Sequence, residues 1–189
     1  MKPIYLSLIG FIFTTTCIGL NYFSFLAPEP ALAVQLRDGT VAFAKSPLLL
    51  DFVTTQNNVL SWSARYYVTI FIPEEAGENL SEVAIEEREG SERIVFLENK
   101  TFAFQGVKKK EQQPLFVTAS IDEENRRIIK VKFDPPVQPG ETITIGLKPR
   151  QNPWFSGVYI FGVTAYPQGE KSQGIYLGVG RLQFYSPFW

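Results

Sequence analysis

The stretch KPRQNPWFSG, residues 148–157, gathers the groups best suited to recognising a ligand. Trp154 and Phe155 are large flat faces. Arg150, Gln151 and Asn152 beside them carry hydrogen-bond donors and acceptors, and aromatic platforms flanked by amides and a guanidinium suit sugars and peptide ends. The competing reading is that the two rings fold back over the end of a core, since aromatic side chains bury more often than they protrude. Phe155, nearer the strand that follows, is expected to be the buried ring and Trp154 the one that faces solvent. The candidate binding residues are therefore Trp154, Arg150, Gln151 and Asn152.

Other chemistries find less to work with. The chain has no histidine, and Cys17 is its one cysteine. The side chain that most often serves as base, proton shuttle or transition-metal ligand is thus missing, and serine or cysteine triads and the usual zinc sites are excluded. Carboxylates are plentiful, so hydrolysis by an acidic pair has to be weighed. It needs two carboxyl groups about 5 to 10 Å apart across a cleft, one with a raised pKa. Here the acids cluster in turns and on exposed faces, as Glu74, Glu75 and Glu78, as Glu86, Glu87 and Glu89, and as Asp122, Glu123 and Glu124, and they read as solvated rims. Asp122 to Asn125 brings oxygen ligands close together but lacks the alternating spacing and the glycine of a calcium loop. The expectation is no catalytic residue, no metal and no cofactor. The polar stretch TTQNNVLSW, residues 54–62, holds a further tryptophan, and its threonines and asparagines are suited to satisfying loop backbone.

These groups must be positioned by a frame, and the chain divides in two. Residues 4–27 carry no charge, contain the apolar run IYLSLIGFIF and follow Lys2; the PEPALA that follows ends in small residues that a signal peptidase accepts. A cleaved export signal over 1–33 is expected, with Val34 as the first mature residue and 34–189 as one domain, large enough for its own core. An uncleaved anchor is the alternative, and it would be the chain's one contact with a membrane; lipidation at Cys17 is disfavoured by the three threonines before it. Removal of Lys2 and Glu29 leaves the formal net charge at the whole chain's −1. Without a cationic excess there is no footprint for nucleic acid, and Lys108-Lys109-Lys110 reads as a solvated turn.

Period-two alternation runs through the rest. In RYYVTIFIP, Tyr66, Val68, Ile70 and Ile72 point one way and Tyr67, Thr69 and Phe71 the other, and both rows are largely apolar, as in a central strand. SEVAIEERE, RIVFLE, TFAFQG and PLFVTAS read as further strands. In IIKVKF, Ile129, Val131 and Phe133 oppose Lys130 and Lys132. PPVQPGETITIGL sets a Pro139-Gly140 turn before Ile143, Ile145 and Leu147, and VYIFGVTAY and GIYLGVGRLQFY close the series. In the last, Gly174, Gly178 and Gly180 share one face with Tyr176, bare enough for an aromatic such as Tyr159 or Phe161 to pack there. EEAGENL closes one helical turn at most. Eight to nine such strands predict an all-β fold, an antiparallel two-sheet sandwich that is immunoglobulin-like in the broad sense, without the cysteine and tryptophan pattern of true immunoglobulins.

VQLRDGTVAF, TTQN, ARYYVTIFIPEEAGENLSEVAIEEREG, VKFDPPVQPGETITIGLKPRQNP and GVYIFGVTAYPQGE, in that order, make the chain resemble a secreted cyanobacterial family of unknown function, domain of unknown function 2808. The resemblance spans nearly all of residues 34–185. It implies an exported protein of the cell envelope, the periplasm or the outside, and brings no catalytic residue with it. The leading expectation is a non-enzymatic domain that binds or scaffolds in the envelope, with a polysaccharide or a protein as partner. Two rivals are a polysaccharide-acting hydrolase with an acidic pair and a small outer-membrane barrel, prompted by the C-terminal LQFYSPFW.

Overall fold

The computed structural model describes residues 34–35, 39–107 and 113–186; the expected leader, the Lys108–Lys110 run and residues 187–189 lie outside them. Among the described residues the chain forms β1 (Val34–Gln35), β2 (Val41–Ala42), β3 (Leu48–Thr54), β4 (Tyr66–Phe71), β5 (Leu80–Glu89), β6 (Phe102–Gln105), β7 (Gln113–Leu115), β8 (Val117–Ile121), β9 (Ile128–Val137), β10 (Thr142–Leu147), β11 (Gly157–Pro167) and β12 (Ile175–Phe184). One sheet has the order β3-β4-β10-β6-β7 and the other β12-β11-β5-β9-β8, while β1 and β2 form a separate ribbon. The strands within each sheet pair antiparallel. The protein is an all-β sandwich of two sheets. Both sheets are open and enclose an apolar interior, so the barrel alternative is not the architecture found.

The inward rows follow the alternation. Tyr66, Val68 and Ile70 of β4, Ile129, Val131 and Phe133 of β9, and Ile143, Ile145 and Leu147 of β10 are buried in one continuous core with Tyr159, Phe161 and Val163 of β11. The outer row of β4 is also covered, as a central strand requires. Tyr67 packs edge-on against Phe102 with centroids 6.2 Å apart, and the hydroxyls of Thr69 and Thr144 lie 3.1 Å apart. Pro139-Gly140 forms the expected turn, with Gly140 at φ 87° and its N–H donating to the carbonyl of Ile72 at 2.8 Å. EEAGENL closes a single 3-10 turn over Glu74–Ala76.

Three expectations need correction. RIVFLE joins neither sheet. Ile94 and Phe96 do point inward, which accounts for the alternation, but the backbone pairs with the 148–150 loop instead of a strand: Leu97 N–H donates to the Lys148 carbonyl and Arg150 N–H to the Val95 carbonyl, both at 2.8 Å. The segment is a strap across one end of the sandwich. PLFVTAS is divided between sheets, β7 in one and β8 in the other, with the ring of Phe116 exposed at the changeover.

The glycines of β12 do not share a face. Val163 opposes Gly178 while Thr164 opposes Tyr176, so Leu177 is an extra residue and this bulge reverses the phase of the strand. Gly174 stays with Tyr176 on the outside, beside Tyr166, whereas Gly180 turns inward. The ring that meets Gly180 is Phe52 from the facing sheet. A Cβ on Gly180 would lie 2.1 Å from Phe52 Cγ, and Phe52 itself stacks on Phe161 with centroids 5.0 Å apart.

Candidate functional site

At the end of the sandwich that carries the strap, three loops meet: residues 55–65 between β3 and β4, the strap 90–97, and residues 148–156 between β10 and β11. Asn152 ties two of them together. It is 0% exposed. Its Oδ1 accepts from the Tyr66 hydroxyl at 2.9 Å, its Nδ2 donates to the carbonyls of Gln56 and Asn58, both at 2.8 Å, and its own N–H donates to the Ser61 carbonyl at 2.9 Å. Of the four candidate binding residues, Asn152 is therefore a staple inside the loop cluster, with its amide engaged by the protein. Lys148 adds a second tie, its Nζ donating to the carbonyls of Trp62 and Ala64; partial burial and the neighbouring Arg65 lower its pKa.

With the backbone pinned from below, the next residues face outward. Trp154 is 64% exposed and Phe155 61%. Phe155 is thus not the buried ring that its position next to β11 suggests. The reason is in the backbone: one carboxylate oxygen of Glu92 accepts the N–H groups of both Trp154 and Phe155, and the Tyr159 hydroxyl donates to the Phe155 carbonyl at 3.2 Å. These contacts hold the loop backbone, and the ring buried beside it is Tyr159, packed edge-on against Phe184 at 5.4 Å. Trp62, from the 55–65 loop, is likewise 75% exposed.

A groove of about 330 Å³ runs beside Trp154, and its lining includes Glu92, Arg93, Arg150, Gln151 and Asn152. All four candidate residues border it. A second groove of about 500 Å³ shares Arg93 and Arg150 and adds Arg126 together with Glu98, Asp122 and Glu123. A recess of about 510 Å³ on the outer face of the second sheet, among Glu82, Lys130, Lys132 and Tyr166, contains none of the candidates. Sequence reasoning missed Glu92 and Arg93, because nothing in SERIVF says that the segment crosses the sandwich end next to residue 154.

The acids need one correction. Glu87 is not on a solvated rim; it is 2% exposed. It continues the inward row Val83–Ile85, a signal already present in the alternation. Its Oε2 accepts the Ile94 N–H at 2.9 Å, the Arg127 guanidinium lies 3.6 Å from Oε1, and Oε1 has no hydrogen-bond partner among the described residues. Burial raises its pKa, partly offset by the Ile94 N–H and by Arg127, and its charge adds to the burial that raises the pKa of Tyr66. Asp122 is the opposite case. The Lys130 ammonium at 2.5 Å and the N–H groups of Asn125 and Glu124 hold its pKa below the ordinary range.

A family model described as "Protein of unknown function (DUF2808)" matches residues 40–184. No curated protein matches the chain. Among solved structures, the collagen-binding domain of a Staphylococcus aureus adhesin is similar at 7% identity and a TM-score of 0.40, over 75% of this chain and 99% of that one. A cohesin module from a Clostridium perfringens family 33 glycoside hydrolase is similar at 12% and 0.37, over 74% and 97%. The collagen-binding subdomain of the Enterococcus faecalis surface protein ACE is similar at 9% and 0.38, over 74% and 94%.

Proposed function

We propose, from the premise that the chain belongs to the DUF2808 family of proteins of unknown function, that it is an exported, non-enzymatic domain that binds a component of the cell envelope, polysaccharide or protein, through the loop end at Trp154. The observation that carries the reading is an indole 64% exposed on a backbone that Glu92 and Asn152 hold in place. A loop whose backbone is already held loses less conformational freedom on binding than a mobile one, and the saving appears as affinity. Arg150 and Gln151 supply the polar contacts, and Asn152 positions them from below. The apolar leader and the family resemblance support export, a cyanobacterial source and a mature domain over 34–189.

The test of the site is retention on a purified envelope fraction by the wild type and by Trp154→Ala of matched stability. Loss of retention in the variant is expected; equal retention would remove Trp154 from the site. Export has its own measurement. Material recovered outside the cytoplasm should begin at Val34 by N-terminal sequencing, and residues 1–33 retained in a membrane fraction would refute cleavage.

A further inference from the structure

We propose that the groove beside Trp154 takes an acidic sugar, a uronate residue of a carboxylate-bearing polysaccharide, with the ring of the sugar on the indole face and its carboxylate between the guanidiniums of Arg93 and Arg150. The inference rests on the binding reading above and names its ligand class. Arg93 and Arg150 both line the groove and are both exposed. Neither is in an ion pair among the described residues, where the pairs are Lys45–Glu75, Arg88–Glu86, Arg127–Glu87 and Lys130–Asp122. Among the described residues Arg93 donates to the Arg126 carbonyl at 3.5 Å, and its charge helps to lower the pKa of Glu87. The acid on the same groove, Glu92, has one carboxylate oxygen engaged by the N–H groups of Trp154 and Phe155.

Two guanidiniums outside any ion pair among the described residues therefore line the groove with one carboxylate, Glu92, on a chain whose net charge is −1. The field of the whole molecule does not gather polyanions, so attraction for one has to be local to this groove. A planar guanidinium grips a carboxylate through two parallel N–H bonds, which a lysine cannot do, and an indole face packs on an apolar ring surface. Together they match a sugar that carries a carboxylate.

The backbone argues against a peptide bound by strand addition. That mode uses free main-chain groups, and four donors of the loop are engaged: Arg150 N–H by Val95, Asn152 N–H by Ser61, and Trp154 and Phe155 N–H by Glu92. The second groove shares Arg93 and Arg150 and adds Arg126, but Glu98, Asp122 and Glu123 line it as well, so the carboxylate contact is assigned to the groove beside Trp154.

The experiment is titration calorimetry of residues 34–189, the expected mature protein, with an oligogalacturonate and with the same oligomer after reduction of its carboxyl groups to neutral alcohols. Binding of the uronate form at least tenfold tighter than the reduced form is expected. Arg93→Gln and Arg150→Gln should each weaken the uronate form about tenfold with unchanged melting temperature, and Trp154→Ala should weaken both forms. Equal binding of the two oligomers, or uronate binding that survives both arginine substitutions, overturns the acidic-sugar assignment while leaving Trp154 as a platform. Preference for an Asp/Glu-rich peptide overturns it in favour of a protein ligand. No binding of either oligomer overturns it as well, and Trp154-dependent retention on whole envelope then shows whether the broader reading stands.

Discussion

Asn152 and Trp154 lie two residues apart in one loop, and burial assigns them opposite roles. Asn152 makes three side-chain hydrogen bonds inside the loop cluster; truncation strands the Tyr66 hydroxyl and two carbonyls, and a buried polar group left unpaired costs about 1 to 3 kcal/mol. Asn152→Ala should therefore lose about 3 kcal/mol or more in urea unfolding. Trp154→Ala should stay within about 0.5 kcal/mol of wild type. A Trp154→Ala loss as large as that of Asn152→Ala would mean that the indole supports the core.

Glu87 carries a pH dependence whose sign follows from its burial. Its pKa is raised above 4.5 in the fold, so the folded state favours the protonated form. Its ionisation costs stability as pH rises through the folded value, and the cost disappears as pH falls toward 4.5. Glu87→Gln keeps an acceptor for the Ile94 N–H and cannot ionise. The stability of Glu87→Gln relative to wild type should be most favourable at neutral pH and decline as pH falls toward 4.5. A relative stability constant across that window would show that Glu87 is not desolvated.

At the scale of elements, the seam between β3 and β12 depends on a position without a side chain. The bulge at Leu177 turns Gly180 toward the interior, where Phe52 fills the space above it. Gly180→Ala places a methyl group against Phe52 Cβ and Cγ, the stem of the ring, which has no freedom to swing aside. A loss of about 1 to 3 kcal/mol is expected from overpacking. In a Phe52→Leu background the same substitution should cost less, because neighbouring sites couple; equal costs in the two backgrounds would place the clash elsewhere. The strap 90–97 is the other element that pairing decides. Its alternating Ile94 and Phe96 are those of a strand, but its hydrogen bonds go to the 148–150 loop and to Glu87, and this brings Glu92 and Arg93 to the aromatic loop.

The whole molecule is held by its apolar interior. The core is continuous across both sheets and includes a cluster of aromatic rings around Phe161, Tyr66 and Phe184. No group of three or more His, Cys, Asp or Glu side chains able to hold a metal occurs among the described residues, and Cys17 lies in the expected leader. The melting temperature of the 34–189 protein should therefore be indifferent to chelator and to reductant. A fall of several degrees with EDTA would reveal a bound ion that stabilises by mass action.

Most strands of the two sheets were legible because their side chains alternate with a period of two and both sheets bury one face, and the inward rows of β4, β9 and β10 read correctly for that reason; β3, whose Leu48 and Leu50 are exposed, was not read, and β9 runs on to Val137, past the Phe133 at which the alternation ended. The pairing partner of a segment is not a local property. RIVFLE and PLFVTAS carry the same alternation as true strands, and only the tertiary structure decided that one is a strap and the other changes sheets. The phase of β12 was hidden similarly, since one inserted residue reverses every side chain after it. The loop KPRQNPWFSG stood out by residue type, but its division into an internal staple, Asn152, and two outward rings, Trp154 and Phe155, depends on hydrogen bonds to residues 56, 58, 61, 66 and 92. Side-chain types and period are written along the chain; whether a polar group is satisfied from inside or left for a ligand depends on which distant residues the fold brings to it.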